Sequence, residues 1–255
     1  ESRNMVQNLS YDPFYCRAVG LDFLSAAALQ ARAYAEKSGI TEEHLAKIVV
    51  RARQWAARNS YAMDGKLLDL GDVMYSPMLA DPIRALHAYP VTDWAVGLLL
   101  CCEARAREFT DKPVWLTGFG NCMDSYFLGD KDLTANFALT NAARRAYKMA
   151  EVSDPQKAFD VVELNDAYAY QLPMWAEGIG LADVCNGGKW IDDGGLDKHH
   201  VNLSGGMLNG NPIMLGGVAR AVEGYIQLRG EAGDRQVDGA KRALAQGTTG
   251  GASQH

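Results

Sequence analysis

Residues Val201-Asn202-Leu203-Ser204-Gly205-Gly206-Met207-Leu208-Asn209-Gly210-Asn211-Pro212 constrain this chain most. A short strand-like start runs into a glycine pair, then a Gly-Asn-Pro turn, then an apolar run over residues 213–222. Glycine accepts backbone angles and close approaches that a side chain forbids, and Asn before Pro suits a tight turn. Such a segment brings main chain close to a ligand and holds one polar side chain, Asn211, at a fixed angle. On these residues alone Asn211 is either that ligand-facing group or simply a turn former.

The flanking chain alternates helical and strand-like patterns. Residues 22–37 are alanine-rich with helical spacing and stop at Gly39; Thr41 is a plausible N-cap for a helix that carries Leu45, Ile48, Val49, Ala52 and Trp55 on one side and ends near Asn59. Residues 65–88 read as loop, with Pro82 suited to the first turn of a short helix. The apolar runs 96–100 and 114–118 read as buried strands, and Cys101-Cys102 as core. A helix is predicted over 133–150, strands over 159–164 and 201–203, a helix over 214–229 broken by Gly230, and a last strand over 240–245. This alternation predicts an α/β layered fold rather than a bundle or sandwich.

Composition excludes several classes. With 255 residues, 48% hydrophobic and 22% charged, the chain can bury one large core or two modest ones. A net charge of −6 argues against nucleic-acid partners and against an acidic membrane surface. Five cysteines, with no Cys-x-x-Cys pair, predict reduced thiols and a cytoplasmic setting. The apolar stretch 94–102 is cut off by Glu103, Arg105 and Arg107, too short to span a bilayer. The chain opens at Glu1 rather than a methionine, so a leader peptide stays open. His199-His200 beside Asp192, Asp193 and Asp197 lacks zinc-site spacing and reads as a solvated loop, with no metal expected.

Several long motifs in order carry a family resemblance. Residues Lys112-Pro113-Val114-Trp115-Leu116-Thr117-Gly118-Phe119-Gly120, Phe159-Asp160-Val161-Val162-Glu163-Leu164-Asn165-Asp166-Ala167-Tyr168, the 201–212 loop and Gln227-Leu228-Arg229-Gly230-Glu231-Ala232-Gly233-Asp234-Arg235-Gln236-Val237 together resemble the thiolase superfamily, in its sterol-carrier-protein type. The resemblance implies a layered α-β-α-β-α fold. It divides the chain into 1–110 (end of an N-terminal half and coenzyme A-binding loop domain), 111–150 (last strand of that half and linking helix) and 151–255 (C-terminal half). Family members carry a further N-terminal portion of about a hundred residues, bearing the nucleophilic cysteine. The expectation is that this chain is incomplete or works beside another polypeptide.

The resemblance also assigns roles. Breaking a carbon–carbon bond beside a thioester needs a thiolate nucleophile, donors for the oxyanion and an acid for the departing enolate. Asn165 resembles the residue that holds an oxyanion-hole water, and Asn211 stands where the family usually has a catalytic histidine. Asn211 can donate a hydrogen bond but cannot titrate. Where thiolases place a second, acid/base cysteine, this chain has Ala167 and Gly247. Tyr168, Tyr170, Asp166 and His255 are the candidate replacements, Tyr168 being the one carried forward. Gly205, Gly206 and Trp94 are the candidate positions around coenzyme A and the acyl group. Trp94 stands where a glycine is usual, and with Trp55, Met74, Tyr75 and Met78 it implies a bulky or aromatic acyl chain, or else a rearranged core.

Three functions follow from this resemblance. The first is a thiolase-like acyltransferase that cleaves or forms a carbon–carbon bond in a 3-oxoacyl-CoA, in the manner of the benzoylsuccinyl-CoA type. The second is a retro-aldolase on a steroid side-chain CoA ester, with tyrosines moving the protons. The third is a non-catalytic acyl-CoA-binding subunit. Coenzyme A enters as part of the substrate. The partners implied are a second copy in a homodimer core and a small zinc-ribbon/OB-fold subunit.

Overall fold

A computed structural model describes residues 8–9, 11–63, 65–125, 127–212 and 215–249. Two capped helices build the first wall of the core. Helix α1 (Phe23–Ser38) starts at Asp22, whose carboxylate accepts the Ser25 N–H while the Ser25 hydroxyl accepts the Asp22 N–H. It stops at Gly39 in the left-handed region, φ 67°. Helix α2 (Glu42–Ala56) starts at Thr41 and buries Leu45, Ala46, Ile48, Val49 and Ala52, as its periodicity predicts. Trp55 is only half-buried, with the Arg58 guanidinium over its ring.

The stretch read as loop holds structure of its own. Helix α3 (Leu70–Met74) is capped by Asp69, and β1 (Met78–Ala80) pairs antiparallel with β2 (Ile83–Arg84). Pro82 therefore sits in a hairpin turn after a cis bond, not in a helix. A residue without an N–H fits a tight turn, where no ladder donor is required.

Helices α4 (Glu103–Phe109), α5 (Phe137–Met149) and α6 (Pro155–Ala158) follow. Helix α5 begins later than its pattern predicts because Asp132 makes a turn instead, its side chain accepting the Thr134 N–H at 2.9 Å. Strand β3 (Val161–Glu163) is wholly buried and pairs in parallel with β4 (Ala243–Ala245), in register Val161↔Ala243. Helices α7 (Gln171–Gly178), α8 (Gly187–Asp192) and α9 (Gly195–Lys198) lie between, and α10 (Gly216–Arg229) packs over β3 and β4. Burial of α1, α2, β3 and α7 joins in one core around Trp175, Met174, Tyr34, Ile48 and Leu164. The helices and parallel strands confirm an α/β fold.

Three predicted strands need correction. Residues 201–203 make only one bridge, Val162↔Val201, because Asn202 turns the chain with φ 49°. The Asn202 side chain takes over the ladder, accepting the Leu164 N–H at 2.6 Å and donating to the Leu164 carbonyl at 3.0 Å. Residues 96–100 and 114–118 are neither strand nor core: no ladder is assigned there, and Leu99, Leu100, Leu116 and Phe119 are exposed, as are Cys101 and Cys102. A strand needs a neighbour to satisfy its backbone, and among the described residues none lies alongside. Gly118 and Gly120 instead press their backbone on α5, where an added Cβ would overlap the Ala146 and Ala142 carbonyls.

Candidate active site

Two loops converge at the end of β3, each held by buried carboxylates. Glu163, the last residue of β3, accepts both the Ser204 N–H (3.1 Å) and the Ser204 hydroxyl (2.7 Å). Arg220, reaching in from α10, places its Nε 3.5 Å from Oε2, the oxygen that takes the Ser204 hydroxyl, and both side chains are buried. Three residues on, Asp166 accepts the Met207 N–H at 2.6 Å. The glycine pair Gly205-Gly206 is thus clamped on both flanks. Gly205 (φ 90°) lies against Ala56 at the end of α2, and Gly206 (φ 69°) lies against the Asp166 carboxylate. Neither position has space for a Cβ. From the α2 side, Asn59 Nδ2 donates to the Ser204 carbonyl at 2.8 Å and the Met63 N–H to the Asn209 carbonyl at 3.2 Å.

Residues 88–94 strap the two loops together. The Tyr89 N–H donates to the Ala167 carbonyl at 2.9 Å, and Ala88 bridges Tyr168 antiparallel. Two residues later Val91 bridges Asn211 in parallel, and the Trp94 ring covers Gly210, whose added Cβ would sit 2.7 Å from it. Sequence reasoning placed Trp94 near the acyl group but missed the strap, since no residue type in Tyr89-Pro90-Val91 announces a bridge.

The candidate residues can now be located. Asn165 and Asn211 are both buried, 4% exposed each, on the two loops that the strap and Asp166 join. The Asn165 Oδ1 accepts the Ala167 N–H at 3.1 Å, an Asx turn rather than a helix cap, and its own N–H donates to Gln246 Oε1 at 2.8 Å. Tyr168 is buried between Tyr89, edge-on at 5.6 Å, and Tyr170, stacked at 6.3 Å. Tyr170 donates its hydroxyl to Gln30 Oε1 at 2.9 Å, and burial pushes its acidity well below an ordinary phenol's. That is a poor proton donor and a sound packing residue. Burial raises the Asp166 carboxyl to about 6, against the opposing pull of Arg220 and of the Met207 N–H. Nearby, burial lowers His87 to about 4, so it is a neutral imidazole at pH 7.

Other candidates lie apart. Ala167 is half-buried in the Asx turn, and Gly247 faces Gly217. Tyr75, at the end of α3, and Met78, in β1, are exposed, 90% and 46%, so the structure does not gather them with Trp94 as an acyl pocket. His199 is half-buried against the Trp190 ring at 6.2 Å, and among the described residues no three His, Cys, Asp or Glu side chains converge as a metal site. A cavity of about 290 Å³ beside Trp190, His199, Lys189 and Lys198 includes none of the six candidate residues. His255 lies outside the described residues. No helix among them is long and apolar enough to cross a membrane.

Comparison with known proteins identifies the family. The family described as "Thiolase C-terminal domain-like" matches residues 121–255. An acetyl-CoA acetyltransferase of Methanothermobacter thermautotrophicus is 36% identical over 91% of this chain and 62% of its own length. Sterol carrier protein 2 of Bos taurus is 33% identical over 82% of this chain and 40% of its length. Benzoylsuccinyl-CoA thiolase subunit BbsB of Thauera aromatica is 28% identical over 88% of this chain and 59% of its length. The solved structure of the Ltp2-ChsH2(DUF35) aldolase superposes with a TM-score of 0.71 at 20% identity, over 81% of this chain and 56% of that one, a likeness of fold alone. The chain belongs to the thiolase superfamily, in its sterol-carrier-protein type. It spans 62%, 40% and 59% of the three relatives it matches.

Proposed function

We propose that this chain supplies the oxyanion-stabilising part of a thiolase-like enzyme that acts on 3-oxoacyl-CoA thioesters. One observation carries the reading: two buried asparagines, Asn165 and Asn211, stand on loops that a strap and two buried carboxylates lock together. Amide N–H groups fixed in a site closed to water stabilise a developing oxyanion without reorganising at the moment of reaction. Asn211 donates to the thioester oxygen, and Asn165 positions the group that meets the enolate oxygen. Tyr168 is the candidate for proton transfer. On this reading residues 1–110 hold the end of the N-terminal half and the coenzyme A-binding loop domain, 111–150 the last segment of that half and the linking helix, and 151–255 the C-terminal half.

Trp94 over Gly210 fills space beside Asn211, which favours an acyl group with an aromatic or otherwise bulky end that stacks on the indole. A homodimer core with a small zinc-ribbon/OB-fold partner fits the same reading, and the name of the structural neighbour joins two components. A second reading, retro-aldol cleavage of a CoA ester, is favoured by the Tyr89–Tyr168 pair at the site and by the neighbour's name as an aldolase. Intact mass of the full native polypeptide, taken before and after incubation with a panel of 3-oxoacyl-CoA esters, decides. An acyl adduct on a cysteine supports the thiolase reading; an aldehyde or ketone released without an adduct moves it to the aldolase. Neither adduct nor product sinks both.

A further inference from the structure

Asp166 is fully buried, yet its two oxygens are treated differently. One accepts the Met207 N–H at 2.6 Å, while Oδ2 makes no hydrogen bond of good geometry, with Asn202 its near side-chain donor, and stands where a Cβ on Gly206 would lie. A buried acceptor without a well-placed donor costs free energy, and such groups in a native fold call for a reason. The same carboxylate follows Asn165 directly in the chain and grips the other loop four residues before Asn211. Glu163 grips that loop on the far side of the glycine pair, through Ser204. Ser204 Oγ in turn accepts the Gly206 N–H at 3.2 Å. Glu163 has Arg220 as a counter-charge and a donor for each oxygen, so its role is complete within the fold. Asp166 ties the Asn165 turn to the loop segment that leads to Asn211 through its bond to the Met207 N–H.

We propose that Asp166 is a positioning residue: its bond to Met207 fixes the spacing between Asn165 and Asn211, and so sets the geometry of the oxyanion site. This rests on the thiolase-like reading for its chemistry but not for its geometry. The glycine at 206 belongs to the same device, because any side chain there would displace the carboxylate from Met207. Displacing an oxyanion donor by a fraction of an ångström lowers the rate of the chemical step while leaving remote coenzyme A contacts intact.

The test compares Asp166→Ala and Asp166→Asn with the full native polypeptide. Asparagine keeps an acceptor for the Met207 N–H; alanine does not. For a 3-oxoacyl-CoA substrate, Asp166→Ala should lose about 10²-fold in kcat with KM changed less than threefold, and Asp166→Asn should recover most of that loss. Hydrogen exchange of the Met207 amide should be slow in the native protein and in Asp166→Asn, and at least tenfold faster in Asp166→Ala. A role confined to stability would shift the melting temperature and leave kcat per folded molecule unchanged. Equal kcat in folded Asp166→Ala, or unchanged Met207 exchange, overturns the proposal. If the native polypeptide turns over no 3-oxoacyl-CoA, the functional reading fails, and Met207 exchange alone decides whether Asp166 holds the loop.

Discussion

Two apolar stretches of similar sequence character end in opposite places. Val161-Val162 lies in a fully buried strand between β4 and the Val201 bridge, whereas residues 96–100 and 114–118 expose Leu99, Leu100 and Leu116. Both kinds of run read as strands from their apolar residues. The difference lies in the neighbours. Strand β3 finds hydrogen-bonding partners at residues 201 and 243–245, and α10 covers it; the other two runs find no strand among the described residues. Burial of a strand is thus a property of the sheet around it. The candidate site sits at the end of the strand that has its partners.

Substitutions on either side of this comparison should differ sharply. Glu163→Ala leaves Arg220 and Ser204 without their buried partner, and breaking such a pair costs about 3–5 kcal/mol. Leu116→Ser, at a residue 77% exposed, should stay within about 0.5 kcal/mol of the native chain. Denaturant midpoints check both, and similar costs would erase the contrast. A smaller effect separates two glycines. Gly206→Ala forces a Cβ into the Asp166 carboxylate at positive φ, a cost of about 1–3 kcal/mol, while Gly97→Ala meets nothing within 4 Å and should be near neutral.

The least effect is a change in pH dependence. His87 is lowered to about 4, so between pH 4 and its ordinary value the unfolded state binds more protons than the folded one; stability from this group rises with pH. Asp166 is raised to about 6, so between its ordinary value and pH 6 the folded state holds the extra proton; stability from this group falls as pH rises. The two oppose each other between pH 4 and 6. Asp166→Asn removes one of them, and its stability should climb with pH in that window about 1.4 kcal/mol per unit more steeply than the native protein's. Parallel curves would show that Asp166 does not titrate there.

Much of the fold was legible from local chemistry. Asp22, Gly39 and Thr41 mark helix ends through caps, and Leu45, Ile48, Val49 and Ala52 mark the buried face through spacing. The glycine pair announced the loop, and the motif around Asn165 announced its companion. What stayed hidden depends on distant partners. The strap from Tyr89 to Trp94, the Glu163–Ser204–Arg220 group and the Asn202 side chain that replaces a ladder join residues far apart in the chain. The exposed runs were misread for the same reason, since their residue types cannot say whether a neighbour is there.

The role proposed for Asn211 is that of an oxyanion donor on a buried loop of a thiolase-like acyl-CoA enzyme. Its most direct test is the kcat of the full native polypeptide on 3-oxoacyl-CoA esters, compared with Asn211→Ala at matched folded fraction. A fall of about 10²-fold in kcat per folded molecule is expected. An equal kcat in the folded variant would contradict it.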